Sequence, residues 1–158
     1  VIKSKLTMWE RGEENVMPAP SGPPPEKLFA PSDTPLGLDE LARASGLTRR
    51  QVGDLIDHGL LRPDGDEGEP AFSQQELAVA REAQRLIAYG FEARHLRSVR
   101  ISTERDAALL EQLTAPLLRN RSPDARHRAG EILAGCADAI GKMRVAILTE
   151  ELRRLLES

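Results

Sequence analysis

Residues 36–61 encode two short amphipathic helices separated by a glycine-containing turn, and this pattern constrains the fold more than any other in the chain. Gly46 marks the turn, and Thr48 is a good N-cap for the second helix. Gln51, three residues later, completes a capping box, and Gly59 marks the end of the helix. The apolar positions of the pair are Leu38, Leu41, Val52, Leu55 and Ile56. A helix-turn-helix is therefore predicted.

A turn-rich loop, RPDGDEGEP, follows over residues 62–70. It lies between two short apolar pieces, Leu60-Leu61 and Ala71-Phe72, a layout typical of a two-strand wing. The predicted fold class is therefore mainly α: a winged helix-turn-helix with a small two-strand wing, followed by a helical segment and a long C-terminal helix.

The remaining helices are indicated by their start signals. Ser73 and Glu76 form a second capping box that opens a helix ending at Gly90. A short helix is predicted over 91–100, and Thr103 is predicted to cap the next one. Ser122 followed by Pro123 begins a last helix that can run to Leu156.

An apolar seam on this last helix predicts self-association. Its members alternate spacings of three and four, which suits packing against another helix; they are Leu133, Cys136, Ile140, Met143 and Ile147. Gly130, Gly135 and Gly141 lower the helicity by about 1 kcal/mol each, so the helix needs a packing partner. A homodimer is the predicted assembly, with Cys136 acting as a small buried hydrophobe.

The first 35 residues have a different character. Residues 1–14 have helix-like apolar spacing but no start signal, so they are interpreted as the tail of an upstream helix in a longer protein. Residues 15–35 hold seven of the eleven prolines and predict an extended, semi-rigid linker. The predicted domains are a winged helix-turn-helix over 36–102 and a helical dimerisation or effector segment over 103–158.

Composition narrows the function classes. The net charge is −3, the single cysteine cannot form an internal disulfide, and no Cys/His spacing suggests zinc. No apolar run is long enough to span a membrane, and no motif of nucleophilic, phosphate-binding or acid–base catalysis occurs. The sequence predicts a cytoplasmic protein that is not an enzyme and uses no metal or cofactor.

Three stretches carry a family resemblance: LDELARASGLTRRQVGDLIDHGLL, AFSQQEL and AYGFEARHLRSVR. Together with the long last helix, they resemble the MerR family of bacterial transcription regulators over about residues 36–156. AYGFEARHLR looks like the C-terminal, diverged winged-helix domain of two-domain actinobacterial members. The resemblance implies a regulatory and dimerisation domain, with DNA bound through the full-length protein.

A first alternative is that this domain itself binds promoter DNA, with Thr48, Arg49, Arg50 and Gln51 in the major groove. The family carries an Arg-Tyr-Tyr run on the second helix, whereas this sequence has Gly53-Asp54-Leu55. Residues 36–72 also hold four arginines against eight acids, which weakens backbone contacts to phosphate.

A second alternative is a small-molecule sensor with a pocket between the winged helix and the C-terminal helices. Arginines outnumber acids over residues 73–100, and Arg94, His95 and Arg97 are the predicted contact for an effector or anion. An unidentified small molecule or protein is the predicted effector, and no membrane contact is expected.

Overall fold

The computed structural model describes residues 22–30, 33–65 and 68–158. The predicted upstream helix over 1–14 lies outside these residues. Six helices are found in the described ranges: α1 (Pro25–Phe29), α2 (Leu38–Ser45), α3 (Arg49–Asp57), α4 (Gln74–Ala88), α5 (Ala93–Arg119) and α6 (Pro123–Glu157). They form two compact units, one over Ala30–Leu113 and one that joins the described residues up to Phe29 to Thr114–Ser158.

The core of the first unit gathers the apolar faces of α2, α3 and α4. Its largest fully buried apolar side chains are Leu41, Val52, Leu55, Leu61 and Phe72. Three of these five, Leu41, Val52 and Leu55, lie in α2 and α3, and burying each of them stabilises the fold by about 1.5–3 kcal/mol. The spacing of apolar residues in α2 and α3 therefore produces the packing that the sequence predicts.

The turn between α2 and α3 is set by local hydrogen bonds. Gly46 adopts the left-handed conformation at φ 78°, and its amide donates to the carbonyl of Ala42. The amide of Gln51 donates to Thr48 Oγ1 at 3.1 Å, and the amide of Thr48 donates to Gln51 Oε1 at 2.9 Å. The predicted capping box is confirmed, and with it the start of α3.

The predicted two-strand wing is wrong, because the described residues contain no β-strand. Only two isolated antiparallel bridges occur, one between Leu36 and Phe72 and one between Asp64 and Ala71. Proline lacks the amide that a ladder needs, and Pro63 and Pro70 flank the loop. Leu60 and Leu61, expected to begin the first wing strand, are instead buried in the helical core.

One continuous helix, α5, replaces the two that the sequence predicts between residues 91 and 119. Neither glycine nor proline occurs from Ala93 to Ala115, so nothing in this stretch interrupts the helix. The Thr103 hydroxyl donates to the carbonyl of Val99 at 2.7 Å, which is a mid-helix hydrogen bond. The predicted N-cap at Thr103 is therefore wrong. Pro116 lies inside the helix, three residues before its last residue.

The second unit is organised around α6, which has 35 residues and extends about 50 Å. Ser122 caps it as predicted, since the amide of Ala125 donates to Ser122 Oγ at 3.2 Å. In the segment predicted to be extended, Pro25–Phe29 instead forms α1, which contacts α6. A Cβ added at Gly130 would overlap the ring of Phe29, so the glycine makes room for that side chain.

Candidate functional site

The N-terminal turn of α3 carries the four residues predicted to read DNA. Thr48 and Gln51 use their side chains to cap the helix. Arg49 Nε lies 3.1 Å from Asp39 Oδ1 of α2, with both side chains 68% exposed. An exposed ion pair of this kind contributes at most about 1 kcal/mol to the stability of the fold. Arg49 therefore contacts Asp39 while its side chain stays accessible to solvent.

Acidic side chains surround Arg49. It lines a crevice of about 280 Å³ together with Asp39, Glu40 and Glu69. Arg50, in contrast, is exposed and makes no hydrogen bond or ion pair with the described residues. Of the four predicted DNA contacts, Arg50 is therefore the one whose side chain has no partner in the described part of the chain.

The predicted effector contact does not converge on one site. Arg94 forms an ion pair with Glu92 at 2.8 Å, and Arg97 is exposed. His95 Nδ1 accepts a hydrogen bond from the Glu92 amide at 3.0 Å, and its ring lies edge-on to Phe91. His95 thus helps to start α5.

Arg94 does line a crevice, which neither His95 nor Arg97 shares. This crevice of about 380 Å³ lies between α3 and the α4–α5 connection, and its lining also includes Gln51, Asp54, His58 and Phe91. His58 Nδ1 lies 2.8 Å from the Asp54 carbonyl oxygen, so the imidazole also serves the end of α3.

The predicted dimer seam has two different parts. Leu133, Cys136 and Ile140 are half-buried, whereas Met143 and Ile147 are 57% and 58% exposed. The more exposed part continues along the helix in a larger set of apolar side chains, which are Val145, Leu148, Leu152, Leu155 and Leu156. Met143, Ile147 and these five side chains are together called the C-terminal apolar surface below.

A cavity of about 600 Å³ lies in the second unit, where α1 and the end of α5 meet the first turns of α6. It is lined by Leu28, Phe29, Leu118, Asn120, Arg121, Arg126, Ala129, Gly130 and Leu133. Sequence reasoning missed this cavity because Phe29 was assigned to an extended linker. The available signal was the cluster of arginines on both sides of Ser122.

No group of three or more His, Cys, Asp or Glu residues within 22–30, 33–65 and 68–158 is placed to hold a metal ion. None of the helices in these ranges is long and apolar enough to cross a membrane. The described part of the chain is mainly helical, and its main features are the capped helix pair α2–α3 and the long helix α6.

Comparison with known proteins places this domain in a family. The chain belongs to the family described as "Rv1828-like, C-terminal domain", whose model matches residues 34–156. It is 27% identical over 118 residues to the HTH-type transcriptional regulator Rv1828 of Mycobacterium tuberculosis, and equally to Mb1859 of Mycobacterium bovis. The match covers 73% of this chain and 48% of each relative, so the chain spans about half the length of these proteins.

Proposed function

We propose that this chain is the regulatory and dimerisation domain of a MerR-type, DNA-binding transcription regulator. The family match and the names of the two relatives support a role in transcription regulation. The observation that supports homodimerisation through α6 is the C-terminal apolar surface on the last turns of this helix.

A surface of this kind is unusual on a monomeric protein. Seven large apolar side chains between Met143 and Leu156 are each about half exposed or more. Contiguous exposed apolar areas above a few hundred Å² mark interaction sites. The spacing of three and four that runs from Leu133 to Met143 and Ile147 is that of a helix-pairing seam, and Val145, Leu148, Leu152 and Leu155 form a second apolar stripe with similar spacing.

Charge complementarity favours a second copy as the partner. Arg144 precedes Ile147 by three residues, and Glu150 follows it by three. Antiparallel pairing centred on Ile147 would place Arg144 of each copy level with Glu150 of the other. Opposite charges that flank an apolar seam set partner choice and orientation in paired helices.

Sedimentation velocity of the 158-residue chain tests this proposal. The double substitution Met143→Asp/Ile147→Asp places two charges on the seam, where dimer formation would desolvate them. We expect wild type to sediment as a dimer and the double variant as a monomer across the same concentrations.

The matched control is Ala139→Asp/Ala146→Asp. These two alanines are exposed on α6 and lie outside the seam, so the control adds the same charge to the same helix. It is expected to remain dimeric. A monomeric wild type, or a seam variant with unchanged mass, would overturn the proposed dimer.

We infer that DNA is contacted mainly through other parts of the full-length regulator. Around α3, Arg49 is paired with Asp39, and Glu40 and Glu69 line the same crevice. Phosphate contacts supply most of the non-specific affinity for DNA, and this acidic surface would reduce it.

Direct DNA reading by α3 remains the second candidate, because Arg50 is exposed and has no partner among the described residues. A gel-shift assay at low salt separates the two candidates. Sequence-selective retention that Arg49→Ala/Arg50→Ala abolishes, and that the control Arg94→Ala/Arg97→Ala preserves, would favour direct reading. Equal retention of random and promoter DNA would favour the regulatory role.

A further inference from the structure

We propose that the cavity between α1 and α6 binds a small amphiphile, an oxyanion such as a carboxylate or phosphate monoester carried on an aliphatic chain. The proposal concerns a ligand site and does not depend on dimer formation. It rests on three properties of the cavity: its size, its apolar walls and the two arginines that line it.

The size and lining suit a small molecule with a long apolar part. About 600 Å³ falls within the range of roughly 300–1,000 Å³ that is typical of small-molecule sites. Leu28, Phe29, Leu118 and Leu133 supply the large apolar side chains of the lining. Gly130 contributes no side chain, which leaves room both for the Phe29 ring and for the cavity beside it.

Two cations line the same cavity. Arg121 and Arg126 are both exposed, and neither guanidinium forms a hydrogen bond or an ion pair with the described residues. Guanidinium groups form strong bidentate hydrogen bonds with carboxylate and phosphate oxygens. The amide side chain of Asn120, also in the lining, adds a polar group beside them.

The local charge favours an anion over a cation. Residues 119–131 hold four arginines and two acids, although the chain as a whole carries a net charge of −3. Of the two acids, Glu131 lies 3.2 Å from His127 Nε2, and neither Glu131 nor Asp124 lines the cavity. The cavity therefore combines an apolar interior with a positive edge, and an anionic head group on an apolar tail matches both parts.

Titration calorimetry of the 158-residue chain with laurate and with dodecyl phosphate, both kept below their micellar concentrations, tests the site. We expect saturable binding of both probes by wild type. Dodecanol and dodecyltrimethylammonium have the same tail without the negative charge, and we expect them to bind at least about tenfold more weakly, as for loss of charge-assisted hydrogen bonds.

Variants assign the binding to the cavity. Arg121→Gln/Arg126→Gln is expected to weaken laurate binding at least about tenfold, since it removes both cations. The control Arg128→Gln/Arg153→Gln removes two exposed arginines of α6 that do not line the cavity, and should bind laurate like wild type. Leu118→Gln, which makes the wall polar, should weaken both anionic probes.

Several results would overturn the proposal. Wild type that shows no saturable binding, dodecanol that binds as tightly as laurate, or an Arg121/Arg126 variant with unchanged affinity would each do so. A fourth is binding to phosphatidylglycerol vesicles that depends on the same arginines while monomeric laurate does not bind, because the surface would then recognise a membrane. Calorimetry reports ligand binding and sedimentation reports assembly, so the failure of one proposal is distinguishable from the failure of the other.

Discussion

Thr48 and Gln51 each satisfy the backbone amide of the other, across 3.1 Å and 2.9 Å, at the first turn of α3. The two amides would otherwise lack an intrahelical partner, because the first four amides of a helix have none. These two hydrogen bonds together fix the residue at which the turn after α2 ends and α3 begins. Their removal should therefore be measurable as a loss of stability.

We expect Thr48→Ala to lower the free energy of unfolding by about 1 kcal/mol, as for loss of an N-cap. Thr103→Ala is the matched control, because Thr103 lies inside α5 and its hydroxyl bonds only to the carbonyl of Val99. Alanine has the higher helix propensity, so the control should be neutral or slightly stabilising. Urea unfolding followed by circular dichroism measures both. Equal losses in the two variants would contradict this assignment of the cap.

Two glycines of the helix pair should respond to alanine with opposite signs. Gly46 has φ 78°, so Gly46→Ala should destabilise the domain by about 1–2 kcal/mol. Gly53 lies inside α3 with open space where a Cβ would be added, so Gly53→Ala should stabilise it by about 0.5–1 kcal/mol. Thermal melts of the two variants beside wild type give the signs directly. A stabilising Gly46→Ala would refute the left-handed turn.

The contact between Phe29 and Gly130 predicts a change of sign between backgrounds. In the wild type, Gly130→Ala should destabilise the chain because the added methyl displaces the Phe29 ring from α6. In a Phe29→Ala background the same change should stabilise it by up to about 1 kcal/mol, since only the helix propensity remains. A double-mutant cycle by urea unfolding measures this coupling. Additive effects would show that Phe29 does not occupy this position.

The Glu76 carboxylate accepts hydrogen bonds from two backbone amides, whereas Gln51 accepts one. We therefore expect the loss of Glu76 to lower the free energy of unfolding more than the loss of Gln51. The Glu76 carboxylate accepts from Ser73 at 2.9 Å and from Arg62 at 2.7 Å, whereas Gln51 accepts only from Thr48 in the corresponding box. Glu76→Ala should therefore cost about 1 kcal/mol more than Gln51→Ala. Chemical denaturation of the two variants tests the difference, and a Gln51→Ala that costs as much would count against a role at Arg62.

Local signals in the sequence predicted the helix starts well. The caps at Thr48, Ser73 and Ser122 depend on residues within three or four positions, and all three form as expected. The prediction of a two-strand wing was wrong because a β-strand forms only where a partner strand offers a matching series of hydrogen bonds. Pro63 and Pro70 remove amides on both sides of the loop, and only single bridges form.

The sites were harder to predict because they depend on contacts between distant residues. Arg49 could be named as an exposed cation, but its pairing with Asp39 requires the angle at which α2 and α3 meet. The cavity beside Gly130 is formed partly by Phe29, which lies about 100 residues earlier in the sequence. The prolines around Phe29 predict an extended segment, so its contact with α6 could not be predicted. The apolar seam was visible in the sequence. Only the structure separates its half-buried N-terminal part from the exposed Met143 and Ile147.

If two copies pair through the exposed last turns of α6, the rate of hydrogen exchange in those turns should depend on protein concentration. From residue 143 to residue 157 every side chain is exposed, so nothing within the described chain covers this part of the helix. A helix of this length is marginal in water by itself, and its amides should exchange rapidly with deuterium when the protein is dilute. Pairing of two copies would slow that exchange as concentration rises. The amides of α3, whose Val52 and Leu55 are fully buried, would exchange at the same rate throughout.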